Sequence, residues 1–344
     1  MAPHPDRWPD RWIETRPEGL YIRPADLFID PHRPVPRAAV SHGHADHARP
    51  GHGTVWATPA TIAIMQTRLG AAAIGKPVPL PFGQTIEIGD VRLRLEPAGH
   101  VLGSAQIVLE HAGARVVYSG DYKRAPDPTT EAFVPVPCDV FITEATFGLP
   151  VFRHPPAAQE IEKLLASLET FPERCHVIGT YALGKAQRLL GELRAAGYDR
   201  PVHLHGALLP LCQLYERFGI HLGRVQAATV GEKGKPRADL AGEIVLAPPA
   251  AIADRWARRL PDPLPGMASG WMQVRQRARQ RGVELPLIIS DHADWDDLLA
   301  TAHDVQAGEV WITHGREEAL AHALEARGIR ARALSLIGFD EEGQ

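Results

Sequence analysis

The sequence predicts an α/β protein: a sandwich of two β-sheets flanked by helices, interrupted by a smaller α/β insertion with its own parallel sheet. Two observations carry this. The first half is a series of short apolar or alternating runs bounded by Gly, Pro and Asp, with a single early helix among them. From Phe147 onward helical periodicity alternates with short strands, and after about Leu285 a strand–helix–strand–helix ending returns the chain to the first texture. The expected division is a domain built from 1–146 and 285–344, with 147–284 inserted into it.

In the first half the expected strands are Leu27–Asp30, Ala38–Ser41, Thr54–Ala57, Thr85–Ile88, Val91–Glu96, Gln106–Glu110, Arg115–Ser119 and Val140–Thr143. Pro59–Leu69 is the helix, with Pro suited to a first turn and Gly70 just past the end. In the insertion, helices are expected at Ala157–Leu168, Lys185–Ala196 and Leu208–Phe218. Strands are expected between them at Cys175–Gly179, Val202–His205 and Glu243–Ala247. The ending reads as Pro286–Ser290, Asp294–Val305, Glu309–Thr313 and Glu317–Arg327, with Asp340–Gln344 as a frayed acidic tail.

With 344 residues, 44% apolar and 23% charged, the chain has the composition of an ordinary globular protein able to bury a sizeable core. A net charge of −4 gives no global basic field, though a local basic groove is all a nucleic-acid enzyme requires. Cys138, Cys175 and Cys212 are widely spaced with no CxxC, which excludes a disulfide framework or thiolate zinc site and points to a reducing cytoplasm. The opening residues carry Trp, Pro and Asp where a signal peptide needs an apolar run, and no stretch reaches the ~20 apolar residues of a membrane span.

The chemistry is concentrated in Ser41-His-Gly-His-Ala-Asp-His47, directly after an apolar strand. Three imidazoles and one carboxylate at a strand end can turn to a common point. That ligand mixture suits Zn²⁺ or Mn²⁺. His100 in PAGHVLGS, Asp121 in YSGDYK and His314 in WITHG stand where further strands should end, each beside a glycine that permits close backbone approach. His42, His44, Asp46, His47, His100, Asp121 and His314 together supply the donors that two metal ions need.

The order HGHADH, GHVLGS, SGD, THG resembles the metallo-β-lactamase superfamily and its αββα sandwich. ITEATFG before the insertion, TYALGKAQRLL within it and SDHADW after it are similar to the β-CASP branch, which acts on nucleic acids. The resemblance runs from about Gly19 to Ala319. GLYIRPADLFIDP and SDHADW are similar to bacterial ligase-associated DNA exonucleases, relatives of the Artemis-type nucleases. It implies that His42, His44 and His100 hold one metal and Asp46, His47 and His314 the second, with Asp121 bridging. It further implies that Asp30 supports the ligands and that His292 works beside the scissile phosphate, oriented by Glu144. The leaving alkoxide needs a proton, which His292 would donate, while Asp46 would orient the attacking water. His292 is alternatively a helix-start residue, with Asp291 or Asp294 merely capping.

Substrate contacts are more open. Lys185 and the N–H groups at a helix start would take a phosphate, or Gly184 is a turn and Lys185 solvated. Arg275, Arg277, Arg279 and Arg281 alternate: on a strand they would form a phosphate track, on a helix an ordinary surface. Trp271, after Ser269 and Gly270, would stack a base or pack in the core. The resemblance implies a metal-dependent DNA exonuclease of DNA repair, preferring single-stranded DNA, in functional association with an ATP-dependent DNA ligase and a helicase. His314 is the histidine of RNA-processing members, so an RNA nuclease is the alternative. A small-molecule hydrolase would lack the insertion, and a binding module without metal would not keep every donor.

Overall fold

The computed structural model describes residues 8–228 and 238–334. The expected tail Asp340–Gln344 lies outside them. The chain divides into two compact units, one made of the residues up to Pro126, Thr130–Arg153 and those from His292 on, the other of Asp127–Thr129 and His154–Asp291. The chain thus leaves the first unit, and returns to it, later than the sequence texture implied.

The first unit holds two sheets. One has six strands in sequence order: Ile13–Arg16, Gly19–Ile22, Leu27–Ile29, Arg37–Ala39, Thr54–Ala57 and Lys76–Pro79. The other has seven, ordered Ala331–Ala333, Glu309–Gly315, Val140–Ala145, Ala114–Tyr118, Ala105–His111, Val91–Pro97 and Thr85–Ile88. Its first four strands are parallel and the rest antiparallel.

Strand periodicity explains how these sheets stack. Leu20 and Ile22 of the first sheet share a buried cluster with Ile107, Leu109, Val116, Tyr118, Ile142 and Trp311 of the second. Tyr21, between them, turns to the opposite face and packs with Ile62 and Met65 of helix Pro59–Leu69. Val108, Val117, Phe141 and Val310 likewise turn outward against Trp295 and Leu298 of helix Trp295–Asp304 and Leu320 and Leu324 of helix Glu317–Glu325. Successive side chains point to opposite faces, so strands buried on both sides read as continuous apolar runs. The result is helix, sheet, sheet, helix. Each fully buried Leu or Ile adds about 1.5–3 kcal/mol to that packing.

The second unit is a six-stranded, all-parallel sheet ordered Val225–Ala227, Val202–Leu204, Ile244–Ala247, Cys175–Gly179, Pro263–Ala268 and Leu285–Leu287. Helices Ala157–Thr170, Lys185–Ala195 and Leu209–Arg217 belong to it. The expected strand Pro286–Ser290 is corrected here: the strand is Leu285–Leu287, and it pairs with Pro263–Ala268 of this sheet. Pro263–Ala268 escapes sequence reading because two prolines and a glycine argue against an interior strand. Among the described residues no helix is long and apolar enough to cross a membrane.

Candidate metal centre

The donor residues gather at the ends of strands in the first unit. Asp30 follows Leu27–Ile29, the Ser41–His47 loop follows Arg37–Ala39, His100 follows Val91–Pro97, and Asp121 follows Ala114–Tyr118. Gly120, at φ +55°, admits the close approach of Ser41, whose Cβ would lie 2.8 Å from an added Cβ.

His314 and Glu144 are presented differently, inside their strands at an irregularity. Thr143 pairs with Ile312 and Ala145 with Gly315, so Glu144 alone stands opposite Thr313 and His314. Such a bulge breaks the two-residue alternation and re-aims side chains. His314 takes φ 31° there, and Gly315 takes φ +111°, where an added Cβ would come 2.1 Å from the Ala145 carbonyl oxygen. Asp30 also has a positive φ, 41°. Two non-glycine residues of this cluster therefore carry backbone strain of the kind functional sites hold.

His42 Nε2 lies 3.1 Å from His44 Nδ1, and His100 Nε2 lies 2.9 Å from the same atom. Asp121 Oδ2 is 3.4 Å from His42 Nε2 and 3.7 Å from His100 Nε2. Ligands on a tetrahedral ion with bonds of about 2.0–2.1 Å are separated by roughly 3.3 Å, so these distances suit donors around one divalent ion. On the other side of Asp121, His47 Nε2 is 3.4 Å from Oδ2 and His314 Nε2 is 3.1 Å from Oδ1. His42, His44, His100 and Asp121 form one group able to hold an ion, and His47, Asp121 and His314 another. Asp46 stands apart from both groups, its Oδ2 3.7 Å from His47 Nε2. Asp121 belongs to both, and to a third group with Glu144 and His292.

Electrostatics separates the two groups. Burial holds His42 well below the ordinary histidine value, and the charge of His47 pushes the same way. Burial also opposes charge on His47, but Asp121, Asp46 and Asp30 outweigh it and hold His47 well above that value. Asp121 is kept well below the usual carboxylate range: burial would raise it, and the neighbouring His47, His292 and His314 overcome that.

Two fully buried carboxylates stand behind two imidazoles. Asp30 accepts from Ser41 N at 2.7 Å, from Ser41 Oγ at 2.5 Å and from His47 Nδ1 at 2.7 Å. Glu144 accepts from Tyr122 N at 2.8 Å, from the Thr146 hydroxyl, and from His292 Nδ1 at 2.9 Å. A carboxylate at Nδ1 fixes the ring and puts the working nitrogen at Nε2. The His292 ring sits 4.6 Å from that of His100. Asp294 caps the following helix, accepting from the amides of Asp296 and Asp297 at 3.0 Å, so capping does not occupy His292.

The expected substrate residues lie in the second unit. Lys185 is buried with Nζ 2.7 Å from Asp291 Oδ2, so it is not the solvated cation considered above. Arg275–Gln280 is a helix, which removes the one-faced arginine track. Trp271 is buried and the Arg277 guanidinium lies 4.0 Å over its ring, while Ser269 Oγ accepts from Trp271 N at 3.3 Å. Sequence reasoning missed Ser41 and Thr146 as supports. Their motif positions, beside His42 and two residues after Glu144, were the available signal.

The profile of the β-lactamase superfamily domain matches residues 13–174. The chain carries a metallo-β-lactamase domain. Its fold is the αββα sandwich of that superfamily with an inserted α/β domain of the β-CASP type. It is 33% identical over 342 residues to a "Probable DNA ligase" of Opitutus terrae, covering 96% of this chain and 32% of that protein. It is 30% identical over 204 residues to a ribonuclease of Thermus thermophilus, covering 52% of this chain and 47% of the relative. An endoribonuclease of Gibberella zeae is 36% identical over 116 residues, 32% of this chain and 14% of that one. The chain thus spans about a third, a half and a seventh of these relatives. A protein of unknown function from Enterococcus faecalis shares the fold, with a TM-score of 0.57 at 15% identity over 88% of this chain and 80% of that one.

Proposed function

We propose that the protein is a two-metal phosphodiesterase that degrades single-stranded DNA from an end. One observation carries the reading: five imidazoles cluster about Asp121, with Asp46 at the edge and the His292–Glu144 pair beside them. Zn²⁺ or Mn²⁺ ions there, once bound, would supply an activated water and offset charge on a non-bridging phosphate oxygen. His42, His44, His100 and Asp121 would hold one, and His47, His314 and Asp121 the other with Asp46 at its edge. Asp46 would also accept a hydrogen bond from the attacking water. His292, charged and held through Nδ1 by Glu144, gives its Nε2 proton to the leaving oxygen as the P–O bond breaks.

DNA is favoured because the likeness to a "Probable DNA ligase" spans 96% of this chain. Association with an ATP-dependent DNA ligase, and with a helicase, is part of the same reading, in a reducing cytoplasm that suits three free cysteines. RNA is the second reading, supported by the ribonuclease relatives and by His314. His314 has a sufficient role as a metal ligand, which is indifferent to the sugar. The test follows 5′-labelled and 3′-labelled DNA strands with Mn²⁺, each beside an RNA strand of the same sequence. Early release of 5′-labelled mononucleotide or short product, with gradual shortening of the 3′-labelled strand, is expected. RNA cut faster than DNA overturns the substrate, and cuts in a circular single strand overturn the exonuclease reading.

A further inference from the structure

Helix Pro59–Leu69 contributes no side chain to the donor cluster, yet it grips both loops that supply the three imidazoles of one group. At its start, Thr58 Oγ1 and Thr61 Oγ1 donate to the Gly103 carbonyl at 2.7 and 3.0 Å. Gly103 closes the loop that carries His100, and Ser104 Oγ accepts from His100 N at 3.0 Å. Contact is tight: at φ +73°, a Cβ on Gly103 would lie 2.6 Å from Ala60 Cβ and 2.6 Å from Thr58 Oγ1. At the other end, Arg68 Nη1 donates to the carbonyl of Gly43, the residue between His42 and His44. Ile62, Met65 and Leu69 seat the helix on the outer face of the first sheet, so both ends are fixed to one rigid body.

A helix is a stiff spacer of about 1.5 Å per residue. Bonds from its two ends therefore set the distance between the His100 loop and the His42–His44 loop. His42 Nε2 and His100 Nε2 stand 3.1 and 2.9 Å from His44 Nδ1, so a small shift of either loop changes the spacing of all three nitrogens. We infer that Thr61 and Arg68 are positioning residues, and that the helix is a two-ended clamp that preorganises His42, His44 and His100 for one metal ion. The inference rests on reading those three residues with Asp121 as one ion's ligands.

The test uses Arg68→Met, which removes the donor, Arg68→Lys, which keeps one, and Thr61→Val, which removes a hydroxyl from the opposite end and leaves the Thr58 cap intact. Zn²⁺ content is measured by elemental analysis during competition with a chelator, and thermal unfolding of each metal-stripped protein is recorded. Wild type should bind two equivalents. Arg68→Met and Thr61→Val should hold one of the two about 10–100-fold more weakly, the effect of losing a group that orients a ligand. Arg68→Lys should recover most of that loss, with metal-free unfolding close to wild type in all three. Two equivalents held at wild-type strength in Thr61→Val, or in a folded Arg68→Met, would overturn the clamp, as would Arg68→Lys behaving like Arg68→Met. Should Arg68→Met not fold, Thr61→Val decides alone. A wild type that takes up fewer than two equivalents would overturn the ligand assignment beneath the clamp instead.

Discussion

His47 with Asp30 and His292 with Glu144 are built alike. In each pair a fully buried carboxylate accepts one backbone amide, one hydroxyl and one imidazole Nδ1. They differ in what the ring faces. His47 Nε2 lies 3.4 Å from Asp121 Oδ2 and 3.7 Å from Asp46 Oδ2, in a group with His314 that could hold an ion. His292 stands against the His100 ring and also lies with Asp121 and Glu144 in a group that could hold an ion, but its Nδ1 is taken by Glu144. The bracing decides which nitrogen is presented, and the neighbours decide what it does. One pair is read as a ligand and its support, the other as a proton donor and its support.

Substitutions can break or sharpen this comparison. Asp121→Ala removes the anion near both pairs and should abolish cleavage while leaving the fold intact. A soluble variant keeping more than about a tenth of wild-type activity would remove Asp121 from the bridging position. His292→Ala should slow cleavage by roughly 10²–10⁴-fold, as loss of a general acid does. Asp30→Asn and Glu144→Gln each place an amide donor where three hydrogen bonds are accepted. Both should cost about 10–100-fold, Asp30→Asn in metal affinity and Glu144→Gln in turnover with metal affinity kept, so assaying both quantities in both variants tests the distinction. Ser41→Ala and Thr146→Val remove the hydroxyl from each carboxylate, and Ser41→Ala also removes the partner of His42 Nδ1 at 3.0 Å. Each should lower unfolding stability by roughly 1–3 kcal/mol, checked by denaturant titration, with metal content retained.

The donors were legible in the sequence because each is a chemically distinctive residue in a short motif just past an apolar run. His42, His44, His47, His100 and Asp121 needed only that their strands end together. The bulge that sets Glu144 opposite Thr313 and His314 was not legible, since pairing register is a relation between distant segments. Nor were the bonds from Thr61 and Arg68, which join a helix to loops far along the chain. Arginines at alternate positions fit either a strand or a short helix, and local sequence does not choose between them; the helix Arg275–Gln280 does. Lys-Pro-Val-Pro at 76–79 was overlooked because proline signals a turn, but as an edge strand it tolerates the missing amides.

The most direct test of the two-pair account is the metal content of His47→Ala and His292→Ala, purified and reconstituted with Zn²⁺ in parallel. The account predicts one equivalent lost from His47→Ala and two equivalents retained by an inactive His292→Ala. Loss of an equivalent from His292→Ala would make His292 a ligand and contradict the division of roles.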